Sequence, residues 1–365
     1  MTDNPDSADC RLRVLVALSG GVDSAVTAAW LRDRGQVVIG ATMSIWREGK
    51  YRGGNRDACF GAGEREDIAA AASVCRRLGI PHLVLDCADA YEEIVLDNFR
   101  REYLAGRTPN PCVRCNRFVK FDLLPRLAER SGAVFDRFAT GHYVRLENGP
   151  GRVRMYRGRD PAKDQSYFLY RLEQGQLART LAPLGDFTKA EVRELARRFA
   201  LPVSGKPDSQ DFYSGDYREL LGVADQPGAI VDVAGRVLGR HGGCWNFTVG
   251  QRRGLGVSHP SPLYVVEINR DRNEVVVGGA ESVVSRRLAA VDCNWLSIPA
   301  PSEPFDAGIK VRSAGGIKPC RVEPRGDGGF TAEFPEGVAA VTPGQSAVVY
   351  RGDLLLGGGV IASAG

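Results

Sequence analysis

The sequence predicts an α/β domain built on a doubly wound parallel sheet, followed by a small central β domain and a C-terminal β-barrel. Up to about residue 205, apolar runs of strand length alternate with segments of helical periodicity, which is typical of parallel strands joined by crossover helices. From about residue 228, valines alternate with polar residues between glycine turns, and after about residue 285 short strands follow at a spacing typical of a small closed or half-closed barrel. We therefore expect domains at residues 1–215, 216–284 and 285–365.

In the first domain, apolar runs predict strands over residues 12–18, 37–43, 81–86, 135–140 and 152–157. Helices are predicted to contain residues 25–31 and to span about residues 65–78, 92–105, 120–130, 173–179 and 189–199. The last helix begins with a capping pair, Thr188 and Glu191. Residues 107–116 carry two prolines, so we predict an ordered loop there. Later strands are predicted over residues 230–233, 264–268, 274–277, 307–313, 320–324, 330–334, 346–351 and 357–362, with a hairpin turn at 269–273.

The composition argues against membrane and secreted proteins. No apolar stretch approaches the roughly 18 residues of a transmembrane helix, and the chain begins with a polar, acidic segment unlike a signal peptide. The nine cysteines are an odd number scattered over a long chain, which favours a reducing cytoplasm. A net charge of +4 permits nucleic-acid binding without arguing for it. We expect a cytoplasmic protein with no membrane partner.

A glycine-rich turn, Ser19-Gly20-Gly21-Val22-Asp23-Ser24, joins the first predicted strand to a helix. Backbone N–H groups in such a turn, together with the positive end of a helix dipole, bind anions. Asp23 places a carboxylate at this phosphate site, which suggests a Mg²⁺ between them. No Gly-Lys-Ser/Thr follows, so the turn is not a Walker A loop. We predict a phosphate-binding loop; the alternative is an ordinary tight turn between strand and helix.

The hexapeptide resembles the pyrophosphate loop of ATP pyrophosphatases, which cleave ATP between the α and β phosphates. The motifs that follow it in the chain are the loop carrying Cys112 and Cys115, Gly141-His142-Tyr143, Lys163-Asp164-Gln165-Ser166, Ser209-Gln210-Asp211 and Gly250-Gln251-Arg252-Arg253-Gly254-Leu255. Together they closely resemble the bacterial tRNA-specific 2-thiouridylase family over nearly the whole chain. That family combines a pyrophosphatase-type α/β domain, a small central β domain and a C-terminal β-barrel. It replaces O2 of the wobble uridine of certain tRNAs with sulfur, using ATP and a persulfide donor.

The resemblance implies a set of site residues. ATP would be bound by Ala17, Leu18, Ser19, Gly20, Gly21, Val22, Asp23, Ser24, Met43 and Gly141. Cys115 stands at the position of the family's nucleophile, with Cys112 as its candidate partner, and Arg107, Arg114 and Arg117 flank the pair and would lower its pKa. The tRNA would be contacted by Asn110, Pro111, Cys112, His142, Lys163, Asp164, Gln165, Arg312 and Gln345. The implied partners are tRNA and an upstream sulfur donor, either a persulfide carrier or sulfide.

One position departs from the family's pattern. The family usually has a second cysteine two positions after the aspartate of Ser-Gln-Asp, whereas here Tyr213 stands in that place. Two routes for sulfur remain open. In the first, Cys112 is the resolving partner of Cys115. In the second, Cys59, Cys112 and Cys115 ligate three irons of a [4Fe–4S] cluster whose fourth iron carries sulfide, unless Cys59 is an incidental thiol. A zinc half-site is disfavoured because no second CxxC or paired histidine lies nearby.

Two other functions are open to a chain with this loop. A synthetase that adenylates a small carboxylate or carbonyl and adds nitrogen would need neither the CxxC pair nor a basic barrel, and it would form AMP without responding to tRNA. A non-catalytic RNA-binding or nucleotide-sensing protein would be expected to carry a damaged phosphate loop, whereas every polar and glycine position of the hexapeptide is present. The sequence therefore favours the thiolation of tRNA.

Overall fold

The computed structural model describes residues 11–51, 58–207 and 212–365, which fold into two units. The first unit takes the described residues of Met1–Tyr91, Asn116–Ser166 and Leu172–Ser214, and the second takes Glu92–Cys115, Tyr167–Arg171 and Gly215–Gly365. The segment that carries the two CxxC cysteines therefore belongs to the same unit as the C-terminal strands.

The helices and strands follow in chain order. The helices are α1 (Val22–Asp33), α2 (Glu64–Leu78), α3 (Ala88–Tyr91), α4 (Asp97–Leu104), α5 (Pro111–Arg114), α6 (Leu124–Arg130), α7 (Gln174–Ala178), α8 (Lys189–Arg198) and α9 (Tyr217–Leu221), with π-helical stretches at Glu92–Leu96 and Cys115–Leu123 and 3₁₀ turns at Ser166–Phe168, Pro183–Asp186, Cys244–Asn246 and Ala280–Val283. The strands are β1 (Arg13–Ala17), β2 (Val37–Ser44), β3 (His82–Asp86), β4 (Arg137–Ala139), β5 (Val144–Gly149), β6 (Arg152–Arg157), β7 (Thr180–Leu181), β8 (Gly228–Asp232), β9 (Val237–His241), β10 (Tyr264–Asn269), β11 (Glu274–Gly278), β12 (Val284–Asn294), β13 (Phe305–Lys310), β14 (Lys318–Pro324), β15 (Phe330–Ala339), β16 (Ser346–Arg351) and β17 (Leu354–Ala364).

The first unit is organised around a five-stranded parallel sheet in the order β3-β2-β1-β4-β7. Val14, Leu15 and Val16 of the central strand β1 have no exposed surface, as expected of a parallel strand covered on both faces. The strand order reverses at β1, which confirms the predicted doubly wound sheet. β5 and β6 form an antiparallel hairpin, of which the sequence predicted only the second strand.

Helix α8 shows why sequence signals located several boundaries well. Thr188 accepts a hydrogen bond from the N–H of Glu191, and the Glu191 side chain accepts one from the N–H of Thr188, so the predicted capping box is present. The cap determines where α8 begins, and the helix starts at the next residue, Lys189.

Among the helices of the described residues, none is long and apolar enough to cross a bilayer.

The second unit contains two β structures. A four-stranded sheet has the order β10-β11-β8-β9, with the predicted hairpin joining β10 to β11. Six strands, in the order β12-β15-β14-β13-β16-β17, form a barrel that closes through pairing of β12 with β17. Its core includes Phe330, Phe334, Val349 and Ile361, all at most 1% exposed. The predicted C-terminal barrel is confirmed as a closed one, although the sequence did not predict its first strand, β12.

The structure corrects the prediction that residues 107–116 form a loop. A helical turn, α5, begins at Pro111, and the π-helical stretch Cys115–Leu123 follows. Pro111 occupies the first helical position, where a missing N–H breaks no hydrogen bond within the helix. Asn110 caps the turn by accepting a hydrogen bond from the N–H of Val113 at 3.3 Å. The rule that excludes proline from a helix interior does not apply at a helix start, so both CxxC cysteines have helical backbone.

Candidate functional site

The phosphate loop lies where the strand order of the parallel sheet reverses. The loop follows the carboxyl end of β1. Gly141 follows the carboxyl end of β4, the strand that pairs with β1. In open α/β sheets, ligands bind in the crevice at such a switch point. The fold therefore gathers the predicted loop and the predicted Gly141 at one place within the first unit.

The loop has a conformation that its glycines make possible. Gly20 has a φ of +72°, and a Cβ there would lie 2.3 Å from the carbonyl oxygen of Asp67. Gly21 is the N-cap of α1, so the first N–H groups of this helix, which have no partner within the helix, lie at the loop. The Ser24 hydroxyl accepts from the N–H of Ser19 and donates to the carbonyl of Gly21, both at 3.2 Å. This geometry is that of a preformed anion site.

The apolar members of the predicted ATP set lie at or near the carboxyl ends of β1 and β2 and at the start of α1. Ala17 ends β1, and Leu18 and Val22, at 4% and 3% exposure, are buried on either side of the loop. Met43 is half-buried near the carboxyl end of β2, which lies beside β1. Their roles in binding ATP stay predictions.

Gly141 allows the end of β4 to approach the loop closely. A Cβ on Gly141 would lie 2.8 Å from both the carbonyl carbon of Asp23 and the nitrogen of Ser24. Both neighbours are backbone atoms at the start of α1, so they cannot move aside without shifting the loop. A side chain at position 141 is therefore incompatible with the observed loop position.

We expect Gly141→Ala to lower the free energy of unfolding by about 1–3 kcal/mol, as overpacking does, and to weaken nucleotide binding. The matched control is Gly175→Ala in α7, where no atom lies within 4 Å of the added Cβ; it should be neutral or stabilise by up to about 1 kcal/mol. Urea unfolding and nucleotide titration measure the two effects. Normal nucleotide binding by Gly141→Ala would contradict the proposed close approach.

The Asp23 carboxylate is held by two side chains. Lys189 Nζ lies 2.7 Å from Oδ1 and 2.9 Å from Oδ2, and the Tyr143 hydroxyl donates to Oδ1 at 2.8 Å. The Lys189 side chain is only 11% exposed, whereas that of Asp23 is 30% exposed. Asp23, which the sequence analysis assigned to a Mg²⁺, thus holds the ammonium group of Lys189 at the phosphate loop.

The Asp23 carboxylate fits the role of a protein ligand to Mg²⁺. Within the part of the chain that the structure describes, no three histidine, cysteine or acidic side chains are grouped so as to hold a metal ion. Mg²⁺ is commonly bound by one or two carboxylates with substrate phosphates supplying further oxygens. The residues present are compatible with a metal that arrives with a nucleotide. In this structure Lys189 contacts both Asp23 oxygens.

A second lysine braces the loop. Lys206 Nζ donates to the carbonyl of Gly20 at 3.3 Å and pairs with the Asp67 carboxylate. Asp67 belongs to α2, so the loop is tied to the first turn of that helix. This bond orients the peptide that gives Gly20 its left-handed conformation.

Sequence reasoning missed Lys189, Lys206 and the role of Tyr143. One signal was available for Lys189. It stands at the first position of α8, directly after the Thr188 cap, where the helix macrodipole disfavours a cation. A lysine that keeps such a position is expected to have a partner elsewhere, and here the partner is Asp23.

The cysteines lie on a helical turn in the second unit. Cys112 belongs to α5, and Cys115, three positions later, ends it with helical backbone angles of φ −56° and ψ −48°. Residues three apart in a helix lie on the same face, and both side chains are half-buried. The backbone places the two cysteines on one helical turn, and a reaction between their thiols stays a prediction.

The three arginines beside the cysteines have other partners. Arg107 makes a bidentate pair with Glu102, at 2.6 and 3.0 Å, and Arg117 pairs with Glu173. Arg114 donates to a backbone carbonyl at 2.9 Å, and burial lowers its pKa from the ordinary value. Because these groups bind elsewhere, the predicted lowering of the cysteine pKa stays a prediction.

Tyr213 is part of an aromatic cluster in the first unit. It is 3% exposed, and its ring centroid lies 6.1 Å from that of Phe60. The N–H of Phe60 donates to the carbonyl of Phe212 at 3.0 Å. Cys59, which is exposed, directly precedes Phe60 in the chain. Residues 209–211, the Ser-Gln-Asp motif, lie outside the described residues. Tyr213 therefore has a packing role where the family has a cysteine.

The predicted iron–sulfur ligands are divided between the two units, with Cys59 in the first and Cys112 and Cys115 in the second. Cys59, Cys112 and Cys115 are all described, yet no three metal-ligating side chains of the described residues form a site. A cluster needs its thiolates gathered around the irons. The cluster therefore stays a prediction.

Several predicted tRNA contacts are internal in this structure. The His142 ring is buried, with Nδ1 2.8 Å from the Thr140 hydroxyl, and burial, helped by Lys120, lowers the pKa of His142 well below its ordinary value. Its imidazole is therefore neutral at physiological pH. Gln165 accepts a hydrogen bond from the N–H of Tyr143 at 3.0 Å.

The remaining predicted contacts differ in exposure. The side chain of Asp164 is 1% exposed and accepts hydrogen bonds from Arg157 at 3.2 Å and from the N–H of Ser166 at 3.1 Å. Lys163 is half-buried, and Arg312 is exposed on the turn after β13. Asn110 and Pro111 start the cysteine turn, and Gln345 donates to the carbonyl of Thr108 at 3.0 Å. These tRNA contacts stay predictions.

Comparisons with known proteins cover almost the whole chain. Family models match as "tRNA methyl transferase HUP domain" at residues 12–213, "tRNA methyl transferase PRC-barrel domain" at 220–279 and "Aminomethyltransferase beta-barrel domain" at 285–361. A relative from Geobacter metallireducens named tRNA-specific 2-thiouridylase MnmA is 46% identical over 97% of this chain and 98% of its own length. A relative of the same name from Endomicrobium trichonymphae is 44% identical over 97% and 99%. The solved NMN synthetase from Francisella tularensis matches with 19% identity over 54% of this chain and 65% of its own, at a TM-score of 0.34, which supports no argument about function.

Proposed function

Because this chain belongs to the tRNA-specific 2-thiouridylase family, and so catalyses ATP-dependent thiolation of uridine in tRNA, we propose that Cys115 and Cys112 deliver the sulfur to a base activated at the phosphate loop. The observation that carries this proposal is the helical turn that places the two cysteines three positions apart on one face. The proposed target is C2 of the wobble uridine. Since the substrate is tRNA, we place the enzyme in the cytoplasm.

The first half-reaction converts O2 of the uracil into part of a good leaving group. O2 attacks the α-phosphorus of ATP, the bond to the β-phosphate oxygen breaks, and diphosphate departs, leaving AMP esterified to O2. Negative charge develops on the diphosphate. The N–H groups of the loop and the ammonium of Lys189 are fixed beside this site, where preorganised donors lower the barrier.

The second half-reaction transfers sulfur. A persulfide on Cys115, formed by the upstream donor, attacks C2 through its terminal sulfur, and AMP leaves with the former O2. The thiolate of Cys112 then attacks Sγ of Cys115 and breaks the S–S bond to the transferred sulfur, which stays on the base as 2-thiouridine. A Cys112–Cys115 disulfide results, and an external thiol must reduce it before the next turnover. Tyr213 cannot take this role because it carries no sulfur.

ATP is the cofactor that family membership implies. A Mg²⁺ bound with the ATP phosphates would have Asp23 as its protein ligand and would supply charge neutralisation to the leaving diphosphate. The alternative sulfur carrier is the [4Fe–4S] cluster on Cys59, Cys112 and Cys115. Cysteine variants distinguish this carrier from the CxxC pair, because the cluster needs all three thiolates.

The direct test of this function is mass spectrometry of tRNA nucleosides after incubation with anaerobically purified protein, ATP, Mg²⁺ and a sulfide or persulfide source. Exchange of oxygen for sulfur in uridine, dependent on ATP, is the expected result. The assay also distinguishes addition of a methyl group, the reaction named in the descriptions of the family models. AMP formation that does not respond to tRNA would instead identify a small-molecule synthetase.

We expect Arg312→Ala to weaken tRNA binding about equally for different tRNAs and to reduce the slope of log affinity against log salt by about one unit. Arg312 is exposed on the turn after β13, as a phosphate contact requires. The matched control is Arg321→Ala in the same barrel, because Arg321 pairs with Asp306 at 3.1 Å. Filter binding over a range of salt concentrations measures both slopes. An unchanged slope for Arg312→Ala would contradict a direct phosphate contact.

A further inference from the structure

We infer that Gln345 is a positioning residue for the Cys112–Cys115 turn, acting through residues 342–345 of the barrel, here called the barrel strap. The inference rests on the proposed role of the two cysteines and goes beyond it, because it assigns a part of sulfur transfer to the barrel. The family resemblance predicted that Gln345 contacts tRNA. The structure gives this side chain a partner within the chain itself.

The contact consists of three hydrogen bonds between the strap and the segment that precedes the cysteines. Gln345 Nε2 donates to the carbonyl of Thr108 at 3.0 Å and lies 3.4 Å from that of Pro109. In the other direction, the N–H of Thr108 donates to the carbonyl of Pro343 at 2.9 Å. Pro109 has no N–H, so the carbonyl of Thr108 is the only hydrogen-bonding group of the peptide that joins Thr108 to Pro109, and Gln345 binds it.

The strap is rigid enough to serve as a brace. The N–H of Gly344 donates to the carbonyl of Ile361 in β17, and the N–H of Ile361 donates to the carbonyl of Gln345, both at 2.8 Å. Gly344 has a φ of +91°, and a Cβ there would lie 2.8 Å from the nitrogen of Thr108. Glycine is therefore needed both for the conformation of the strap and for its close approach to the segment.

The brace acts on the start of the cysteine turn. Asn110 follows Pro109 directly, and its side chain caps α5 by accepting from the N–H of Val113. A cap works only when its backbone leaves the helix at the right angle, and that angle depends on the two peptides that Gln345 holds. The buried Tyr167 supports the strap in turn, because its hydroxyl donates to the carbonyl of Ser346 at 3.1 Å.

The side-chain amide of Gln345 thus donates hydrogen bonds within the protein when no tRNA is bound. A measurement on the tRNA-free protein therefore distinguishes a positioning role from a tRNA contact. The experiment is hydrogen–deuterium exchange of the tRNA-free protein, following peptides from residues 108–115. Loss of the donor should raise exchange there about fivefold or more, the factor expected for one lost hydrogen bond. Gln345→Glu keeps the shape but replaces the N–H donors with a carboxylate that repels the two carbonyl oxygens. Gln345→Ala is the second variant.

Steady-state thiolation supplies the second readout. Both variants should lower kcat by about ten- to hundredfold, the effect of misplacing a reacting group, with little change in KM for tRNA. Arg312→Ala is the control in the same barrel, and it should raise KM while leaving exchange over residues 108–115 unchanged. Peptides from the parallel sheet report whether a variant is folded.

Each outcome decides the matter. Unchanged exchange with a raised KM in Gln345→Glu would overturn the inference and leave a simple tRNA contact. Raised exchange with normal kcat would overturn it as well, because the turn would then not need the brace. If Cys115→Ala still thiolates tRNA, the proposed function fails separately, and the exchange result is unaffected by that failure.

Discussion

Replacing Cys115 with alanine is expected to abolish 2-thiouridine formation, with a loss of at least about a thousandfold, because in the proposed mechanism the attacking sulfur is carried on Cys115 and Cys112 only resolves it. Release of diphosphate on a first turnover should persist, since the phosphate loop is untouched. Nucleoside mass spectrometry measures the first quantity, and a coupled diphosphate assay measures the second. A Cys115→Ala enzyme that still makes 2-thiouridine would eliminate both the CxxC and the cluster mechanisms.

The partner cysteines separate those two mechanisms. In the CxxC mechanism, Cys112→Ala should lose multiple turnover and leave tRNA joined to Cys115 through a disulfide that an added thiol cleaves. Cys59→Ala should retain thiolation, and so should Tyr213→Phe, because Tyr213 packs against Phe60. In the cluster mechanism, all three cysteine variants should lose activity together with visible iron–sulfur absorption. An iron-free protein that thiolates at full rate in air excludes the cluster.

Lys189→Gln and Asp23→Asn are each expected to lower tRNA-dependent diphosphate release by about a hundred- to a thousandfold, as removal of a preorganised charge at a reacting oxygen does. In the native protein Nζ of Lys189 lies 2.7 and 2.9 Å from the two Asp23 oxygens, so either variant removes this ion pair. The double variant should therefore lose less than the product of the two single losses, since residues in contact are not independent.

The control for this pair lies on the same helix. Arg197→Gln removes an exposed pair with Glu194 in α8, and exposed pairs contribute little. It should leave diphosphate release near normal, and circular dichroism should show an unchanged total helix content in all of these variants. Near-normal tRNA-dependent release by Asp23→Asn would refute the assignment of the hexapeptide to the ATP phosphates. Near-normal release by Lys189→Gln alone would restrict the lysine to holding Asp23.

Local sequence patterns were sufficient to predict an element where a single short stretch of residues determines its type or its start. The apolar run before the hexapeptide became the fully buried β1, because a strand covered on both faces excludes polar residues. The Thr188 cap located the start of α8, since capping depends only on residues a few positions apart. The same local logic failed at Pro111, where proline marks a helix start as readily as it prevents a helix interior.

The sequence alone therefore determined the order of the elements, the phosphate loop and, through the resemblance, the family and its candidate nucleophile. Only the tertiary structure decided which distant side chains meet. Lys189 lies on Asp23, Gly141 closes on the start of α1, and Gln345 holds the peptides before the cysteine turn. Each of these contacts joins positions more than a hundred residues apart in the chain, and no local periodicity records them. They follow from the order of the strands and the closure of the barrel. Both bring distant parts of the chain together because the apolar faces of the sheets and helices must be buried.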